Sequence, residues 1–175
     1  MAGDPVMAAR PAASLDIDEL DVIAPGAFAA AVAPLFEGAR GFLGRLALAR
    51  PFDSVEVMFE RAREIAHSMP PDEQIELIDA HPRLGASAAA VSDLSRAEQS
   101  AGSGDGVVAT ELARLNAEYE AHFGFRYCVF VAGRSRVSLL PDFEAALGAD
   151  RDAEIHRALD AVIDIARARY ATLTE

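Results

Sequence analysis

The sequence predicts a single-domain, multi-helix bundle. Helix-start signals, Ser, Asp or Pro ahead of an apolar stripe at three- and four-residue spacing, recur along the chain, with Gly and Pro punctuating the intervals between them. At 175 residues and 51% hydrophobic content, the chain is long enough for one sizeable core and rich enough to fill it.

The elements follow in order. Ser14 or Asp16 is placed to cap a short opening helix through Val22, with Leu15 and Leu20 inward and Pro25-Gly26 as the break. Ala27 to Glu37 and Gly41 to Ala49 read as two alanine-rich helices separated at Gly38, the second ended by Arg50-Pro51-Phe52. Asp53-x-x-Glu56 resembles a cap for a helix whose Val55, Met58, Phe59, Ala62 and Ile65 make one apolar stripe. His67, near that helix's end where a cation is favoured, reads as structural. Pro70-Pro71-Asp72 opens the next helix, which carries Ile75, Leu77 and Ile78 and delivers the chain to His81. The connection from Ala86 to Val91 is built of small residues and reads as flexible.

After the break Ser103-Gly104-Asp105-Gly106, the spacing of Val108, Leu112, Leu115 and Tyr119 predicts a helix from about Val107 to His122, closed by Gly124. Tyr127 to Val131 is a short apolar run that periodicity leaves open between a strand and buried extended chain. Ser135 is placed to cap a helix to Leu147, kinked at Pro141 unless a new first turn starts there. The last helix, about Asp152 to Leu173, aligns Ile155, Leu159, Val162, Ala166, Arg169 and Leu173 on one stripe, which puts Arg169 on the buried face. A guanidinium there needs a carboxylate, carbonyls or a ligand anion, or must reach past the helix end to water. The first 13 residues read as a flexible leader ahead of a domain from 14 to 175.

Charge narrows the function classes. With 28 acidic residues against 16 basic and a formal net charge of −12, the chain is unsuited to nucleic acid or an anionic membrane, and the expected partner is a small molecule. An anionic substrate meets a repulsive overall field, so its capture falls to local arginines, of which Arg83, Arg134 and Arg169 are the candidates. Cys128 is the only cysteine, so neither an intrachain disulfide nor a cysteine metal cluster can form, and its apolar neighbours mark it as a buried thiol. No run of about 18 apolar residues is present and no peroxisomal address ends the chain, so the cytoplasm is the expected compartment.

One stretch, Ala80 to Gly102, gathers an imidazole, a carboxylate, a hydroxyl and a carboxamide between two helical regions. Pro82 disfavours the α region for His81 and sets it at a helix boundary. Ser95 and Glu98 have capping-box spacing, which would place Glu98 in a first helical turn with its ionised form favoured. An ionised Glu near an imidazole orients it and holds its proton. Taken alone, His-Pro is also an ordinary turn and Ser-x-x-Glu an ordinary cap.

Resemblance separates these readings. His81-Pro82-x-Leu84-Gly85, Leu94-Ser95-x-x-Glu98-Gln99-x-Ala101-Gly102, Asn116-x-x-Tyr119-x-x-x-Phe123-Gly124-Phe125 and Gly133-Arg134-Ser135 resemble the OHCU decarboxylase family, as do Leu35-Phe36-Glu37, Arg50-Pro51-Phe52 and Ile165-Ala166-x-x-Arg169. The resemblance implies an all-α fold, hence a buried segment or a helix start rather than a strand at Tyr127 to Val131, and a homodimer. It implies cofactor-independent decarboxylation of 2-oxo-4-hydroxy-4-carboxy-5-ureidoimidazoline to (S)-allantoin in urate breakdown. It further implies His81 as the acid–base residue, Glu98 as its orienting partner and Arg169 as the substrate-binding arginine. Ser95 and Gln99 would hydrogen-bond the substrate, Pro82 would fix the His81 backbone, and the segment at Phe130 would meet the substrate ring. The connection after His81 is a few residues shorter than the family's, Ala132 stands where a basic residue often does, and tryptophan is absent. A related lyase acting on another ureido or heterocyclic acid, or a noncatalytic protein of the same fold, are the alternative readings.

Overall fold

Capping and proline chemistry set most helix starts. The computed structural model describes residues 15–86, 93–94 and 106–174; the leader, Ser14, Ser95, Glu98 and Gln99 lie outside them. Helix α1 (Ile17–Val22) begins where Asp16 Oδ1 accepts the backbone N–H groups of Asp18 and Glu19. Pro25 does not merely break α1. It occupies the first turn of α2 (Pro25–Val32), where its missing N–H costs nothing. A 3₁₀ turn (Ala33–Phe36) follows and ends in left-handed backbone at Glu37 (φ 51°) and Gly38 (φ 75°) before α3 (Arg40–Leu48). Helix α4 (Val55–Ser68) is capped by Ser54, whose Oγ accepts from Val57, rather than by Asp53, which is itself left-handed (φ 62°). Helix α5 (Pro71–Asp79) starts on its proline and stops two residues before His81.

Beyond the second described segment, α6 (Gly106–Phe123) closes on Gly124 at φ 80°, whose N–H donates to Glu120. The chain then runs extended and partly buried from Phe125 to Val131, with no strand among the described residues. Ser135 caps α7 (Arg136–Ala146) with Pro141 inside it, and α8 (Arg151–Thr174) is the longest helix.

Helix α8 is the axis of the packing. It lies against α4, α5 and the 3₁₀ turn, burying Ile155, Leu159, Val162 and Ala166 as their spacing predicts. Its stripe ends at Arg169, since Leu173 is exposed on the final turn. A second centre forms where Tyr119, fully buried, meets Phe123, Phe125, Tyr127 and Phe143, the last two stacked at 3.8 Å. No helix among the described residues is long and apolar enough to cross a membrane.

All 16 basic residues are arginines, and many of them tie elements together through backbone carbonyls. Arg50 donates to Leu20, Ile23 and Ala47, joining α1 to α3, and Arg151 donates to Phe123. A planar guanidinium can hold several carbonyls at once, which an ammonium cannot do with the same rigidity.

The turn after His81 depends on Gly85. Its φ of +82° lies in the left-handed region, and a Cβ there would sit 2.8 Å from Leu112 Cδ1. Gly85→Ala is therefore expected to destabilise the protein by about 1–3 kcal/mol, from backbone strain plus overpacking against a side chain end that can shift only in part. Thermal unfolding of the variant checks it.

Candidate active site

The end of α5, the extended segment and the last turns of α8 enclose a cavity of about 250 Å³. Its walls are mostly apolar, with Leu84, Tyr127, Val129, Phe130, Val131 and Ile165 among them. The lining includes one imidazole and one guanidinium, His81 and Arg169. Pro82 and Phe130 line it as well. Such a site, apolar with a few convergent polar groups, suits a small ligand held in one orientation.

His81 is 3% exposed. Its Nδ1 lies 3.3 Å from the carbonyl of Leu77, one turn back in α5, which assigns the hydrogen to Nδ1. Nε2 then carries the lone pair, and it has no hydrogen-bond partner among the described residues. Burial, reinforced by the Arg169 charge and opposed by Glu37 and the Leu77 carbonyl, lowers the imidazole pKa from 6.5 to about 4. At neutral pH His81 is an uncharged base held in one tautomer.

Arg169 is 2% exposed and reaches back 132 residues in sequence to Glu37. Its Nη2 donates to Glu37 Oε1 at 2.8 Å, and its Nη1 to the carbonyls of Pro34 (3.1 Å) and Leu35 (3.3 Å). The left-handed backbone at Glu37 is what turns that carboxylate toward α8. The guanidinium is thus fixed in the cavity wall before any ligand arrives, which removes reorganisation at the moment of binding.

The other two arginine candidates lie elsewhere. Arg83 is half exposed and bidentate to Glu120, and Arg134 pairs with Asp142 while donating to the carbonyls of Phe130 and Val131. Arg134 thereby shapes the cavity wall from behind rather than lining it. Cys128 is buried as expected and contributes to the wall. His67 is structural, 2.9 Å from Asp160 and edge-on to His156 on the α4–α8 face. Sequence reasoning missed Glu37 as a partner for Arg169, although it stands in the Leu35-Phe36-Glu37 match, and missed the Leu77 carbonyl, which no side-chain pattern could announce.

The His81 environment sets a pH dependence of stability. With a folded pKa near 4 and an ordinary value of 6.5, the unfolded chain binds the extra proton between those limits. The contribution of the neutral imidazole is complete above pH 6.5 and lost as pH falls toward 4, up to about 3 kcal/mol at 1.36 kcal/mol per pKa unit. Urea unfolding from pH 7 to pH 4 should show this loss, and His81→Asn should flatten it.

Comparison with known proteins bears on most of the chain. It matches the family model described as OHCU decarboxylase over residues 22–171. It is 30% identical over 141 residues to the uric acid degradation bifunctional protein PucL of Bacillus subtilis, an overlap of 79% of this chain; the chain spans 28% of that protein's length. It is 26% identical over 160 residues to a 2-oxo-4-hydroxy-4-carboxy-5-ureidoimidazoline decarboxylase of Haloferax volcanii, covering 90% of this chain and 95% of that one. A crystal structure of an OHCU decarboxylase in the presence of (S)-allantoin superposes with a TM-score of 0.68 at 21% identity, over 81% of this chain and 95% of that chain, and so shares the fold. Since the family model runs from the end of α1 to the last turns of α8 and takes in every described wall of the cavity, the chain belongs to the OHCU decarboxylase family.

Proposed function

We propose that this protein decarboxylates 2-oxo-4-hydroxy-4-carboxy-5-ureidoimidazoline to (S)-allantoin without a cofactor. The observation that carries the reading is a neutral, single-tautomer imidazole and a pre-fixed guanidinium lining one small apolar cavity in a chain of this family. Loss of CO2 from the quaternary ring carbon leaves an electron pair that the adjacent conjugated ring accepts, so the protein's task is to position the substrate and manage protons.

In this reading His81 Nε2 exchanges a proton with the substrate at the hydroxyl-bearing carbon. Arg169 holds a substrate anion or oxygen and stabilises the charge that develops. Pro82 fixes the His81 backbone and the wall at Phe130 meets the ring, supported by the presence of both in the cavity lining. Glu98 orients the imidazole from the ligand side and binds N–H groups, with Ser95 and Gln99 hydrogen-bonding the substrate; these three rest on the sequence resemblance. Delivery of the incoming proton from one face gives a single enantiomer. The reading extends to a homodimer, as the resemblance implies, acting in the cytoplasm.

The test generates the unstable substrate in place from urate with urate oxidase and hydroxyisourate hydrolase, then follows circular dichroism after this protein is added. A rapid signal of one hand is expected. Racemic product at the spontaneous rate would overturn the reading.

A further inference from the structure

Arg126 is engaged twice with the residues that end α5. Its backbone N–H donates to Asp79 Oδ1 at 2.8 Å, and its Nη1 donates to the carbonyl of Asp79 at 2.6 Å and that of His81 at 3.2 Å. The next residue, Tyr127, begins the cavity wall opposite His81. One residue therefore joins the peptide that carries the imidazole to the segment that faces it.

We propose that Arg126 is a positioning residue for His81, a role that rests on the decarboxylase reading. Apart from packing, the imidazole has few contacts to orient it among the described residues. Among those residues its one ring hydrogen bond, to the Leu77 carbonyl, is long at 3.3 Å, and Pro82 supplies no N–H to anchor the following peptide. The His81 backbone is held by its own N–H to Ile78 (3.1 Å) and by the Arg126 fork on its carbonyl. Removing the fork lets that peptide plane rotate and carries the ring with it.

The far wall has a separate anchor. Arg157, on α8, donates to the carbonyl of Cys128 at 2.9 Å and lies over the Tyr127 ring at 4.7 Å. Loss of the Arg126 side chain thus leaves the wall that contacts the ligand in place and loosens the base alone. The effect belongs in kcat rather than KM, because a misplacement near 1 Å costs up to about 100-fold in rate.

The experiment uses the full chain with substrate generated in place. Arg126→Gln is expected to lower kcat about 10- to 100-fold with KM within about threefold, and Arg126→Lys to fall between, since an ammonium can still donate to these carbonyls but on a flexible stem without the rigid planar guanidinium. Long-range ¹H–¹⁵N spectra, with the His81 signals assigned by their absence in His81→Asn, should show one Nδ1–H tautomer in the wild type and averaging in Arg126→Gln. If Arg126→Gln does not fold, a folded Arg126→Lys with reduced kcat carries the same support. An unchanged kcat with an unchanged imidazole spectrum overturns the proposal, as does a raised KM at normal kcat. Should the wild type itself not turn over this substrate, the decarboxylase reading fails, and the spectra still decide whether Arg126 positions the imidazole.

Discussion

His81→Asn is expected to lower kcat/KM by about 10²- to 10⁴-fold, the range of a lost acid–base group, with the fold intact. Asparagine can still donate to the Leu77 carbonyl and fills much of the same space, but it cannot take up and return a proton. The exchange removes a nitrogen that has no hydrogen-bond partner among the described residues, so little stability is at stake at neutral pH. Because burial and Arg169 hold the wild-type imidazole pKa at about 4, the acid limb of kcat/KM should fall well below 6.5, leaving the rate flat through mildly acidic pH. A variant within a few-fold of the wild-type rate would remove His81 from the mechanism.

The largest loss of stability is expected from Glu154→Ala. Glu154 is buried at 3% exposure, accepts the Tyr119 hydroxyl at 2.6 Å and is gripped by Arg157 through Nε and Nη2. Burial first, and then Glu154 itself, push the Tyr119 hydroxyl well above the ordinary phenol range, so that hydroxyl is a committed donor. Taking the carboxylate away strands a buried phenol and half of an ion pair. Breaking a buried pair costs about 3–5 kcal/mol, and the partial exposure of Arg157 puts this case at the lower end. At roughly 2–4 °C per kcal/mol for a chain of this size, Tm should drop by about 6–12 °C. Glu154→Gln, which keeps an acceptor for Tyr119, should lose less; equal losses would mean that the space filled, not the hydrogen bonds, matters at this position.

The parts of this protein written in local sequence were legible. The stripe on α8 places Arg169 on the buried face, and the His81-Pro82 pair places an imidazole just past a helix end, both from spacing and backbone sterics. What escaped depends on chain brought from afar or on backbone atoms. Nothing near position 37 says that its carboxylate turns toward position 169, because that follows from a left-handed residue after a 3₁₀ turn. Asp53 and Ser54 are both good caps, and Ser54 serves because its backbone is extended (φ −156°, ψ 160°) while Asp53 is left-handed (φ 62°). Composition nominates Arg83, Arg134 and Arg169 alike, and the helical stripe alone separates the buried Arg169 from the other two, which pair with carboxylates at the surface. The run from Tyr127 to Val131 forms no strand, and arginine side chains donate to its carbonyls at Cys128, Phe130 and Val131, partners that no local pattern announces.

That reliance on guanidinium has a chemical corollary. A chain without a single lysine offers no side-chain amine to acetyl transfer, to isopeptide tagging or to succinimide esters, so immobilisation and dye labelling through such reagents can reach at most an α-amine. Vicinal dicarbonyls act the other way. They condense with guanidinium groups, and an adduct at Arg50, Arg126, Arg157 or Arg169 would disconnect a tie between elements, so glyoxal-type damage that reaches these four should destabilise the protein, while amine-based modification is left almost without a target.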